Sequence, residues 1–193
     1  MAYIGLSYAV FAPITKEESG KPITYGNGFV IGPAMRANVT PTSNDSTLRG
    51  DDVDQESDNS MTGGSITLGV THLNAEADTK MLAVKAVSGD SGTYYVNTGK
   101  PAPYGGFGYI RTMLVGGATK YEGNWVYKTQ FARDAADAAT RETTTNYQTP
   151  TFTGKMMGVY VDDDGPDFSA YAEFETLGAA KAWINTWANI SAE

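Results

Sequence analysis

Between Asp45 and Asp58 the chain sets Asp51, Asp52, Asp54 and Glu56 around a single cation, Arg49. Asp52, Asp54, Glu56 and Asp58 recur at the alternate spacing from which a calcium loop draws its oxygen donors. The match ends there. Ser57 stands where the tight turn requires glycine, Gly63 occupies the place of the bidentate glutamate, and no helix pattern flanks the run. The second acidic string, "DDDGPD" at 162–167, could hold a hard cation loosely, but its Gly165-Pro166 pair marks a turn. Both runs read as solvated acid rather than a metal site.

Other reactive groupings fail for similar reasons. "SGDSG" at 88–92 contains the string found around a serine nucleophile, yet the lone histidine, His72, lies nineteen residues before Ser91, too near to belong to a second barrel. With no cysteine, thiolate chemistry and disulfides are excluded. "YGNGFVIG" carries the glycines of a dinucleotide fingerprint, but they precede the strand and no helix opens after them. The residues give no catalytic set and no cofactor site, and the reading is a non-enzyme.

The elements that must carry these residues are mostly strands. The chain has 193 residues, with 22 Gly and 12 Tyr, a length and composition that fit one sheet-rich domain over 1–193. Strand patterns fall near 3–11, 28–31, 35–40, 65–70, 93–97, 107–115, 124–131 and 151–161, about eight in all, the rhythm of a sandwich or barrel. In "NWVYKTQF", Trp125, Tyr127, Thr129 and Phe131 are expected on one face. Two helices are expected. "NAEADTKMLAV" has Asn74 as N-cap with Glu76 and Asp78 in its first turn, and "TLGAAKAWINTWA" has Thr176 as N-cap. In the second, Leu177, Ala180, Trp183, Ile184 and Trp187 form an apolar stripe, read as core against the sheet, or else as a subunit contact. The stretch 132–147 is weakly patterned.

Charge placement narrows the partners. The net charge is −8; residues 44–60 carry six acids and one base (−5), residues 162–175 carry six acids and no base (−6), so the remainder sums to +3. Two acidic loops on an acidic protein argue against gripping nucleic acid, whose phosphates are bound by Lys and Arg. No apolar run approaches the roughly 18 residues of a membrane helix, and "MAYIGLSYAVFAPI" lacks the basic start of a signal peptide. Folding in a cytoplasm is expected, so that the sequons at Asn38, Asn44 and Asn189 carry no glycan.

Several stretches, in order, resemble a known family: "YGNGFVIGPAMRANVT", "NDSTLRGDD" closed by "GGSITLGV", "YGGFGYIR", "NWVYKTQF", and "NYQTPTFTGKMMG" before a helix containing "AKAW". Together they cover most of residues 3–188, and they are similar to the major tail proteins, or tail tube proteins, of long, non-contractile-tailed (siphovirus-type) bacteriophages of Gram-positive bacteria. Arg49-Gly50 and Thr71-His72 depart from the family pattern. The resemblance implies a mainly β fold, a β-sandwich or split barrel with one or two packed helices. It also implies hexameric rings that stack into a tube for DNA ejection. The implied partners are other copies of the chain, a tape-measure protein, a tail terminator and distal tail proteins, with duplex DNA passing through unbound. The implied location is the virion tail, assembled in the host cytoplasm. A long loop at about 41–62, with Asp51, Asp52, Asp54, Glu56 and Asp58, falls where the family reaches to a neighbouring subunit or ring. Two other readings are a tube or carrier protein of a related secretion or injection apparatus, and a glycan-binding β-sandwich on the virion surface using Tyr94, Tyr95 and Tyr104.

Overall fold

In a computed structural model, residues 2–18, 20–89, 92–134, 149–161 and 165–191 are described. Asp90 and Ser91 of the "SGDSG" string, most of the weakly patterned 132–147 stretch, and Asp162, Asp163 and Asp164 lie outside the described residues. The first half of the chain runs β1 (Ala2–Lys16), β2 (Thr24–Tyr25), β3 (Phe29–Gly32), β4 (Ala34–Ser43), β5 (Ser46–Gly50), β6 (Val53–Asp58), β7 (Met61–Val70), α1 (Ala75–Met81), β8 (Lys85–Gly89) and β9 (Gly92–Val96). The second half runs β10 (Gly105–Val115), β11 (Ala118–Arg133), β12 (Thr151–Met157), β13 (Val159–Tyr160), β14 (Pro166–Asp167), β15 (Ser169–Phe174) and α2 (Leu177–Ala188).

The fold is mainly β with two helices, as expected from the sequence, and nine strands join one antiparallel sheet. Its order is β2-β1-β10-β11-β12-β7-β4, with β3 added to β1 and β15 to β11. The expected strand at 151–161 is divided into β12 and β13, and β2, β5, β6, β8, β14 and β15 are additional to the expected set.

The long strand β11 organises the sheet because it has two partners on one edge. Tyr121–Val126 pairs with β15, and Lys128–Arg133 pairs with β12. Tyr127 sits at the fork, its N–H donating to Phe168 O at 3.1 Å. On the other edge the ladder to β10 slips by one residue, from Phe107↔Val126 to Gly105↔Thr129. Since side chains alternate along a strand, a one-residue slip moves everything beyond it to the other face. The expectation that Trp125, Tyr127, Thr129 and Phe131 share a face is therefore corrected. Trp125 and Tyr127 face α2, whereas Phe131 joins Val126 and Phe107 on the opposite side.

Two cores result. The inner one lies within the curled sheet, where Phe11, Phe107, Phe131 and Phe152 meet Ile31, Ile66 and Leu68, and α1 closes it with Ala77 and Met81. Phe131 meets Phe107 edge-on at 5.4 Å, an orientation aromatic pairs favour. The outer core is the interface with α2: Ala180, Ile184 and Ala188 are fully buried on Val10, Ile110 and Trp125. Both helices start at the caps the sequence marks. Asn74 Oδ1 accepts from the Ala77 N–H at 2.7 Å, and Thr176 Oγ1 accepts from the Ala179 N–H at 3.2 Å.

Close approach of α2 depends on two small residues beneath it. A Cβ on Gly108 would lie 2.7 Å from the Trp125 ring and 3.0 Å from Ile184, and one on Gly123 would lie 2.9 Å from Trp183. Trp183 and Trp187 are half-buried, Trp183 against Phe174 at 6.0 Å and Trp187 edge-on to Tyr127 at 5.5 Å. Trp183→Ala is expected to lower the stability of the isolated monomer by about 2–3 kcal/mol, somewhat below the value for a fully buried aromatic. Thermal unfolding of the monomer checks this; a variant with an unchanged melting temperature and impaired polymerisation would instead make the stripe an intersubunit contact.

Candidate functional site

The acidic segment expected as a loop at about 41–62 is a hairpin with a defined ladder. β4 and β7 carry it as an outward extension, and β5 and β6 pair from Ser46↔Asp58 to Gly50↔Val53. Asp51 and Asp52 are the two turn residues, with φ of 52° and 62°. Positive φ at both central positions is the turn that follows strand twist, and Asp tolerates it. The acids thus divide by role. Asp51 and Asp52 make the turn, and Asp54 is paired with Arg49 at 2.9 Å. Asp58 closes the base, accepting from Asn44 Nδ2 at 2.8 Å and the Ser60 N–H at 3.0 Å. Those bonds, the Ser60 amide first, hold the Asp58 carboxyl below its ordinary value. Every residue of β6, Glu56 included, is exposed. Among the described residues no three of His, Asp and Glu converge as a metal site.

The helix residues lie apart from that hairpin. Ile184 is buried in the outer core, and Leu177, Trp183 and Trp187 pack around it. Tyr94 and Tyr95 are consecutive on β9 and so point to opposite faces, while Tyr104, before β10, lies under Lys128 Nζ at 4.9 Å. The three tyrosines do not form a common platform.

A polar grouping that sequence reasoning missed lies on the sheet face opposite α2. Here β1, β10, β11 and β15 run on beyond the inner core, with Arg111↔Glu122↔Glu173 and Tyr109↔Asn124↔Tyr171 in register. Glu122 is only 3% exposed. Arg111 donates to it from Nε at 2.9 Å and also from Nη2, Asn124 Nδ2 donates at 2.8 Å, and the Tyr3 hydroxyl donates at 3.1 Å. The Arg111 guanidinium also covers the Tyr3 ring at 4.1 Å, a cation–π contact. Burial works to raise the Glu122 carboxyl, but the bonds from Arg111, Asn124 and Tyr3 outweigh it and hold it below its ordinary value. No local motif announces this cluster, because its members come from three strands.

A groove of about 770 Å³ opens between the 97–102 segment and strands β7, β11 and β12. Phe131, Leu82, Val84 and Pro101 line it, and Lys100 and Lys155 stand among its polar residues.

Two edges are also open among the described residues. The outer edge of β15 has no partner, and Ala2–Ser7 of β1 pairs only with β10; β4 lies near β1 without joining it. Ile4 on one of these strands is 59% exposed and Tyr171 on the other is 72% exposed.

No protein-family model matches the chain, and no curated protein matches it. Among the described residues no helix is long and apolar enough to cross a membrane.

The Glu122 cluster sets a pH dependence. A carboxyl held low in the folded state adds stability above its unfolded pKa and loses that stability as pH falls through the folded value. Glu122→Gln should therefore cost about 2 kcal/mol at neutral pH. The gap from the parent should close as pH falls below the ordinary carboxyl value of 4.5. Denaturant unfolding at a series of pH values measures it; a gap that stays constant with pH would mean that ionised Glu122 contributes nothing.

Proposed function

We propose that this chain is a structural, self-assembling protein, the major tail protein of a long, non-contractile-tailed bacteriophage, closing into hexameric rings that stack into the tube for DNA ejection. The observation that carries the reading is the four-stranded sheet β1-β10-β11-β15, covered by α2 on one face, polar on the other where it runs beyond the inner core, and unpartnered along β15 and along Ala2–Ser7 of β1. Free strand edges invite pairing, and folds that do not want it defend them with charge or proline. "AYIGLS" at the open part of β1 has neither, and β15 has one charge, Glu173. Strand directions alternate across the four, so β15 of one copy meets β1 of the next antiparallel, continuing the ladder. A heterologous contact of that kind closes into a ring and, repeated along the axis, gives a filament.

Six copies would supply about 24 strands, more than the 16–18 at which a barrel already encloses an aqueous channel. With α2 outside, the polar face turns inward. Its cations are paired, Arg111 with Glu122 and Lys120 with Glu175, and Glu173 adds an acid. A wall without free positive charge suits passing DNA, since unpaired Lys and Arg would bind the phosphates and hold it. The tape-measure, terminator and distal tail proteins follow as partners from the same reading, as does location in the virion tail.

Negative-stain microscopy of the purified protein is expected to show rings or tubes with a central channel; a monodisperse monomer across salt and concentration would refute the reading. Glu56→Lys is expected to impair tube formation while leaving the monomer's melting temperature unchanged. This position is cleaner than Asp54, which pairs with Arg49, and than Asp51 and Asp52, where Lys would also strain a positive-φ turn.

A further inference from the structure

The glycine-rich "YGNGFVIG" stretch cradles no phosphate, but it sets an Asn-Gly pair, Asn27-Gly28, in the link between β2 and β3. Asn27 is exposed. In a free chain the backbone nitrogen that follows an asparagine can attack the asparagine side-chain carbonyl. A following glycine makes that attack easiest, because it has no Cβ in the way and its backbone turns freely.

In the folded chain this nitrogen is engaged. The Gly28 N–H donates to Ala188 O at 2.8 Å, satisfying a carbonyl that the last turn of α2 would leave without a partner. Asn189, the left-handed C-cap of α2, holds the Asn27 side chain by a longer bond, Nδ2 to Oδ1 at 3.4 Å. A Cβ on Gly28 would lie 2.5 Å from Ala188 O and 3.2 Å from the Ala12 Cβ. The seat of the helix end therefore requires glycine here, and the reactive pair is the consequence.

We infer that Asn27 is a site of spontaneous deamidation that the docked C-terminal end of α2 holds closed. The Gly28 nitrogen loses its proton and bonds to Asn27 Cγ, the Cγ–Nδ2 bond breaks, and Nδ2 leaves as ammonia. The cyclic imide then takes up one water and opens to aspartate or isoaspartate. In the folded chain the proton that must leave is held by Ala188 O, and the electron pair it would free points at that oxygen rather than at Cγ. Reaction waits for a local opening that lifts the end of α2 from Gly28.

The product acts back on its gate. A carboxylate at residue 27 lies beside the C-terminus of α2, where the helix already carries partial negative charge. Isoaspartate also lengthens the main chain between Tyr25 and Phe29, both of which are buried. Either product weakens the seat of the helix that covers Val10, Ile110 and Trp125.

Peptide mapping by mass spectrometry tests the site, on chain kept in mildly alkaline buffer either folded or unfolded in guanidinium. Asn27 should convert much faster in the unfolded chain. Ile184→Val, which trims the core beneath α2, should raise the folded-state rate at Asn27 about two- to tenfold. The same variant should leave conversion at Asn59 unchanged, an exposed asparagine before Ser60 in the link from β6 to β7. Asn27→Asp, standing for the product, should lower the melting temperature by about 1–3 °C. Asn27 intact in the unfolded chain, equal rates in folded and unfolded chain, or no response to Ile184→Val would each overturn the gated site. An unchanged melting temperature for Asn27→Asp would overturn its effect on α2.

Discussion

One residue of slippage between β10 and β11 determines where nearly everything else can go. Because Phe107 pairs with Val126 but Gly105 pairs with Thr129, Trp125 and Phe131 leave the same strand on opposite faces. One side becomes the interior of a curled sheet and the other becomes a seat for α2. The same place is the fork at which β11 changes edge partner from β15 to β12. A straight ladder would put the large aromatics on a single face and leave one of the two cores without its centre. Gly108 and Gly123 then let α2 approach closely enough for Ile184 and Trp183 to cover those strands.

The consequence of the fork is a chain with two unlike ends. One branch, β12-β7-β4, carries the acidic hairpin outward and has Pro41 on its edge strand, a residue that cannot donate to a further strand. The other branch, β1-β10-β11-β15, ends in edges without such protection. A monomer with exposed strand edges risks uncontrolled pairing, and closure by copies of itself removes the edge altogether. The Glu122 cluster belongs to this second branch. Three residues bonded through four donors around one carboxylate keep a nearly buried charge satisfied on a face that the inner core does not cover.

What was legible in the sequence was local. Both helices, with Asn74 and Thr176 as caps, follow from side chains within one turn of the start they define. The larger strands were readable from alternation. The hairpin at 46–58 was not, because its alternation is of polar with acidic residues and the density of acid suggested a loop; the turn at Asp51-Asp52 has no glycine to mark it. β15 was hidden by two alanines on what should be its apolar positions. The faces of β11 could not be read from β11 at all, since the slip is a property of the pair. The Glu122 cluster unites Tyr3, Arg111, Glu122 and Asn124 from three strands, and nothing in the neighbourhood of any of them in sequence points to the others.

The proposed ring requires copies to join through the outer edge of β15 and the open start of β1. Amide hydrogen exchange, followed segment by segment in the monomer and in the polymer, addresses it most directly. Amides of Ser169–Phe174 and of the first residues of β1 should exchange freely in the monomer and become strongly protected on polymerisation, while those of α2 should change little. Polymer whose β15 and β1 edges exchange as fast as in the monomer would contradict it.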